Sequence, residues 1–162
     1  MKRIFLIVSL ALISLLSFAQ LPSVSLRTID GKTVNTAKLN NNGKPFIISF
    51  FATWCKPCQQ ELDAINEVIA DWEEETGVKV ITVSIDQGQN VDKVKPLVDS
   101  KGWEFEVLLD PNSDFKRAMN VTLVPTVFVI DGKGNIVDQR SGYTVGSEKH
   151  LIEKVRELLK KK

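Results

Sequence analysis

The sequence predicts an α/β fold, a central mixed β-sheet flanked by helices and opened by an N-terminal β-hairpin. Three observations carry this. The near-continuous apolar runs "FIISFFATW" (46–54) and "VKVITVSID" (78–86) read as strands buried on both faces. A helix-period segment follows each of them, so strands and helices alternate. The last third reads as a hairpin followed by one more helix, which adds antiparallel strands to the sheet.

The elements follow in order. "SVSLRTIDGKTVNTAKL" (23–39) is a hairpin: Val24, Leu26 and Ile29 precede an Asp30-Gly31 turn, and Thr33 and Val34 follow it. "NNNGKP" is a loop leading into the first buried strand. From Pro57 to about Glu75 the period is helical. With Cys58 set at zero, Leu62, Ile65, Val68, Ile69 and Trp72 fall within roughly 120° of one another, and the polar residues take the other face. Glu61 breaks the partition: it falls inside the apolar stripe, one turn from Cys58. A short helix over 90–103 is started or kinked at Pro96 and ends near Gly102. "EFEVLLD" is a strand, and "SDFKRAMN" a short helix with Ser113 as its cap. "TVFVIDGKGNIVDQRSG" is a hairpin turning at 131–135. The closing helix is capped by Ser147 and carries the stripe Leu151, Ile152, Val155, Leu158 and Leu159. Trp72 and Trp103 read as core.

The first residues are of another kind. "MKR" is followed by thirteen apolar-run residues, "IFLIVSLALISLL", and then by small Ser17 and Ala19. This is the pattern of a secretory signal over 1–19, cleaved after Ala19, with one domain over 20–162. The run is short for a membrane span, which needs about twenty residues. Net charge is +1 over 162 residues, and loss of Lys2 and Arg3 leaves 19 basic against 20 acidic residues. A near-neutral balance gives no reason to expect nucleic acid as a partner. No unusual apolar surface stripe calls for a second subunit, so a monomer is expected.

Cys55 and Cys58 are the only cysteines, two residues apart in "ATWCKPCQQE". An exported pair of this kind meets an oxidising compartment. Cys55 falls where a buried strand meets a helix, so free N–H groups and the helix dipole favour its thiolate, and Lys56 adds positive charge. Pro57 suits the first helical turn. Cys58 is one turn in, on the core-facing stripe. An exposed attacking thiolate beside a shielded resolving thiol is the asymmetry that dithiol exchange uses. A structural disulfide closing so short a loop gains little chain entropy. A metal site needs three or four ligands; two cysteines and a distant His150, read as a solvated first-turn residue, do not supply them. No cofactor or metal is expected.

"FFATWCKPCQQE", the downstream "VPT" and the strand–helix order resemble the thioredoxin superfamily. More narrowly they resemble the exported TlpA/ResA-like thiol–disulfide oxidoreductases, from about Ser25 to the C-terminus. The resemblance implies a thioredoxin-like fold and a cis bond at Val124-Pro125 facing the cysteine pair. It implies that the segment Val124, Pro125 and Thr126, with Trp54 and Pro57, contacts substrate held in strand-like pairing. Ser49 stands where thioredoxin has a buried Asp, and Glu61 matches the glutamate of the TlpA/ResA-like group. A buried Glu61 with raised pKa would take and return the proton of Cys58. The partners implied are disulfide-bearing exported proteins, apocytochrome c among them, and a membrane thiol donor that re-reduces the pair. A thiol peroxidase would carry Thr or Ser three residues before its reactive cysteine, where this chain has Ala52. A metal chaperone using the two thiols is the non-enzymatic alternative. The direction of electron flow stays open at this point.

Overall fold

The computed structural model describes residues 19–161, so the expected leader lies, apart from Ala19, outside the described residues. The elements run β1 (Ser25–Thr28), β2 (Thr33–Asn35), β3 (Phe46–Phe51), α1 (Lys56–Thr76), β4 (Lys79–Ser84), α2 (Val94–Lys101), β5 (Glu106–Leu109), α3 (Asp114–Ala118), β6 (Thr126–Ile130), β7 (Ile136–Ser141) and α4 (Lys149–Lys160). Seven strands form one sheet in the order β2-β1-β5-β4-β3-β6-β7. The centre, β5-β4-β3, is parallel, and the pairs β1-β2, β1-β5, β3-β6 and β6-β7 are antiparallel. This is the thioredoxin-like mixed sheet, with the N-terminal hairpin added at the β5 edge.

The two apolar runs become central strands because only a doubly covered position suits them. All six residues of β3 are buried. Its side chains alternate between faces. Phe50 meets Phe115 of α3 at 5.3 Å and Phe128 of β6 at 5.9 Å between ring centroids, while Phe51 meets Trp103 edge-on at 5.9 Å. Fully burying one such side chain contributes roughly 2–3 kcal/mol. Ser49 sits in a cross-sheet row with Thr82 of β4, Val127 of β6 and Arg140 of β7.

Helix α1 buries Cys58, Glu61, Leu62, Ile65, Ile69 and Trp72, and it stops at Gly77, whose left-handed backbone places its N–H on Glu73 O. Helix α2 follows a 3-10 segment over Gly88–Lys93 and carries Pro96 in its first turn, where a missing N–H costs nothing.

Two capping expectations are corrected. Ser113 makes no cap bond, and its own φ is 56°. Asp110 caps α3 instead, its carboxylate accepting from the N–H groups of Asp114, Phe115 and Lys116 at 2.8, 3.3 and 2.8 Å. A carboxylate at a helix start does this better than a hydroxyl. Ser147 does not cap α4 either. Its hydroxyl turns back to accept from Thr144 N–H at 3.4 Å, and Glu148, the residue before the helix, is already helical. His150 is not simply solvated, for its Nε2 lies 3.0 Å from Asp138 Oδ2 on β7.

Candidate active site

The cysteine motif leaves the end of β3 through a tightly held corner. Cys55 N–H donates to Ala52 O at 3.1 Å. Thr53 donates to Asp86 twice, from its backbone N–H at 2.8 Å and its hydroxyl at 2.6 Å, and its carbonyl accepts from Gln59 Nε2 at 2.8 Å. Asp86 is buried at the end of β4 and also accepts from Ser84 Oγ at 2.8 Å. Sequence reading missed Asp86; its signal was an acidic residue closing a buried strand that ends level with the motif.

Cys55 is the N-cap of α1, and its Sγ accepts from Cys58 N–H at 3.3 Å. The sulfur therefore occupies the place where helix N–H groups and dipole favour negative charge. Pro57 stands in the first turn, and it and Lys56 are exposed. Cys55 and Cys58 are joined as a disulfide. The expectation of an exposed Cys55 is corrected: it is 6% exposed against 0% for Cys58, so the asymmetry survives as a narrow opening. Trp54, next to Cys55, is 66% exposed and lies beside a depression lined by Thr53, Asn90, Lys93 and Leu97.

The Val124–Pro125 peptide bond is cis. Thr126 pairs with Phe50, so Pro125 stands level with the end of β3 and with the start of the cysteine motif. Pro125 is buried, with its carbonyl taken by Gly142 N–H at 2.8 Å. Val124 is partly buried and its backbone makes no hydrogen bond among the described residues. Leu123 beside it is 50% exposed. Thr126, expected in the substrate-contacting segment, is fully buried, and its hydroxyl is spent on Leu123 O at 2.7 Å and Ser141 Oγ at 2.8 Å. It braces the loop and offers no surface to a substrate.

Glu61 is fully buried, one turn beyond Cys58. Its Oε1 accepts from Arg140 Nη2 at 2.6 Å. Burial pushes its carboxyl from 4.5 up to about 7; Arg140's positive charge opposes this, Glu148's negative charge adds to it, and Ser49 opposes it weakly. Ser49 Oγ, Glu61 Oε2 and Arg140 Nε are each buried and unpartnered. Arg140 also escaped the sequence reading, because on its own strand it looks like an edge-strand surface charge.

The chain is 31% identical over 121 residues to the thiol-disulfide oxidoreductase ResA of Bacillus thuringiensis, a match covering 75% of this chain and 67% of that protein. A solution structure of a thioredoxin-like protein from Porphyromonas gingivalis shares 66% identity and a TM-score of 0.79, covering 90% of this chain and 95% of its own. A thiol:disulfide interchange protein of the thioredoxin family from Chlorobium tepidum shares 29% identity and a TM-score of 0.70, covering 88% and 97% of the two chains. Residues 19–139 match the AhpC/TSA family. On that match and these relatives, the chain belongs to the AhpC/TSA family and stands with its thioredoxin-like thiol–disulfide oxidoreductases.

Proposed function

We propose that the protein reduces disulfides of exported proteins outside the cytoplasm by dithiol–disulfide exchange at Cys55 and Cys58. The observation that carries this is the unequal pair at the head of α1, with Cys55 capping the helix at a narrow opening and Cys58 sealed behind it. In the reduced enzyme, the Cys55 thiolate attacks one sulfur of the substrate disulfide. A Cys55–substrate S–S bond forms, the substrate bond breaks, and its electron pair leaves on the second substrate sulfur, which is then protonated. Cys58 loses its proton to Glu61 and attacks Cys55 Sγ, releasing the reduced substrate and leaving the Cys55–Cys58 disulfide. A thiol donor at the membrane then returns two electrons to the pair.

The free backbone of Val124 and the exposed side chains of Leu123 and Trp54 support a substrate strand laid beside Pro125. Ala52, fully buried three residues before Cys55, offers no hydroxyl for peroxide chemistry. Apocytochrome c is one substrate that fits this class. The basic start and short apolar run over residues 1–16 support export.

The test is a Cys58→Ser variant, reduced and exposed to a periplasmic extract under non-reducing conditions. Resolution is blocked, so mixed disulfides through Cys55 should accumulate and disappear with dithiothreitol. A variant that traps nothing would refute the exchange reading. N-terminal sequencing of the exported protein checks localisation, with Gln20 as the expected first residue; an intact Met1 would overturn the cleavage.

A further inference from the structure

Arg140 lies 79 residues after Glu61, on the edge strand β7, yet its guanidinium meets the buried carboxyl. The row Ser49–Val127–Arg140 across β3, β6 and β7 explains the meeting, for paired residues point to one face, the face on which α1 lies. The Arg140 side chain is 19% exposed and Glu61 not at all. A pair so far out of water holds its geometry strongly, since breaking it leaves an uncompensated buried charge. The contact is one-sided. Oε1 is taken by Nη2, while Oε2 is buried with no partner. A carboxyl with one oxygen pinned and the other free has one atom left for proton exchange, and the thiol one helical turn away is Cys58.

We propose that Arg140 is the positioning residue of the proton transfer, pinning Glu61 Oε1 so that Oε2 is the atom that exchanges a proton with Cys58. This rests on the reading of Cys58 as the resolving thiol. In the forward step Cys58 Sγ–H gives its proton to Oε2 as the sulfur attacks Cys55 Sγ; the Cys55–substrate bond breaks, and its electron pair leaves on the substrate sulfur. Re-reduction runs the proton back. The groups acting on Glu61 are Arg140 on β7, Glu148 just before α4, Ser49 on β3 and Tyr143 in the loop between β7 and α4, with Cys58 one turn away on α1 itself. Tyr143 is tied to Glu148, its hydroxyl 3.4 Å from Oε2. Arg140 and Glu148 therefore act on the Glu61 proton with opposite signs.

The experiment follows the Glu61 carboxyl carbon and the Cys58 Cβ by NMR across pH in the reduced protein. In Arg140→Gln the carboxyl midpoint should rise by at least about one pH unit. In Glu148→Gln it should fall, and Arg140→Lys should lie between wild type and Arg140→Gln. The Cys58 profile should move with the carboxyl in each. An unmoved midpoint in a folded Arg140→Gln overturns the proposal, as does a Cys58 profile that ignores the carboxyl. Should Arg140→Gln fail to fold, Arg140→Lys carries the same decision. Trapping by Cys58→Ser is a separate result, so failure here and failure of the exchange reading are told apart.

Discussion

Asp86 grips Thr53 at two points, accepting from its backbone N–H at 2.8 Å and from its hydroxyl at 2.6 Å. Thr53 is two residues before Cys55, so this buried carboxylate ties the end of β4 to the corner that presents the sulfur. Asp86→Asn puts an amide donor where two donors already point. It should destabilise the fold by about 1–3 kcal/mol and slow disulfide exchange. Urea unfolding and an insulin reduction assay read the two effects, and full stability together with full activity would refute the clamp.

The cap of α3 gives a paired prediction. Asp110→Ala removes three N–H contacts and should cost about 1–2 kcal/mol. Ser113→Gly loses only a hydroxyl that accepts from Gln87 Nε2 at 3.0 Å, and it relaxes a positive φ. It should be close to neutral in thermal melts. The reverse order of the two melting points would restore Ser113 as the cap.

Glu61 makes stability depend on pH in a direction unusual for a carboxylate. Its folded pKa, about 7, lies above the ordinary 4.5, so the folded chain keeps a proton that the unfolded chain releases between those values. The contribution is complete below pH 4.5 and is lost as pH rises through 7, amounting to at most about 3 kcal/mol. Urea midpoints should fall between pH 5 and pH 8 in the wild type and fall less in Glu61→Gln. Equal slopes in the two proteins would remove Glu61 as the cause.

Gly132 is held by closeness. A Cβ there would stand 2.0 Å from Gly43 O, the backbone of the loop before β3. Gly132→Ala should force that loop away from the β6–β7 turn and cost about 1–3 kcal/mol. Gly134→Ala, with open space but a φ of +86°, should cost about 1 kcal/mol through backbone strain alone. Chemical denaturation of both variants separates contact from conformation, and equal losses would deny the contact.

What could be read from the sequence was what local pattern controls. The buried strands, the Asp30-Gly31 hairpin, Cys58 on the inner stripe and the displaced Glu61 all follow from periods of two and 3.6 residues. What could not be read depends on register between strands far apart in the chain. Arg140 becomes the partner of Glu61 only once Ser49, Val127 and Arg140 are known to share a row. Thr126 follows Pro125 directly, yet its place between β3 and β7 takes away its surface. The near-closure of Cys55 likewise comes from its neighbours in space. The caps failed for a different reason: Asp110 and Ser113 are both competent by residue type, and their geometry alone decides between them.

Ala19 O accepts from Ile136 N–H at 2.8 Å, and Gln20 bridges to Asn135. Ile136 is level with Phe46, at the start of β3, whereas the disulfide follows Phe51 at its other end. The two poles of the domain thus hold the start of the described chain and the disulfide, about 16 Å of sheet apart. Anything joined ahead of Ala19 enters at the pole away from the sulfurs. A label fused ahead of Ala19 would leave the disulfide end of the sheet uncovered.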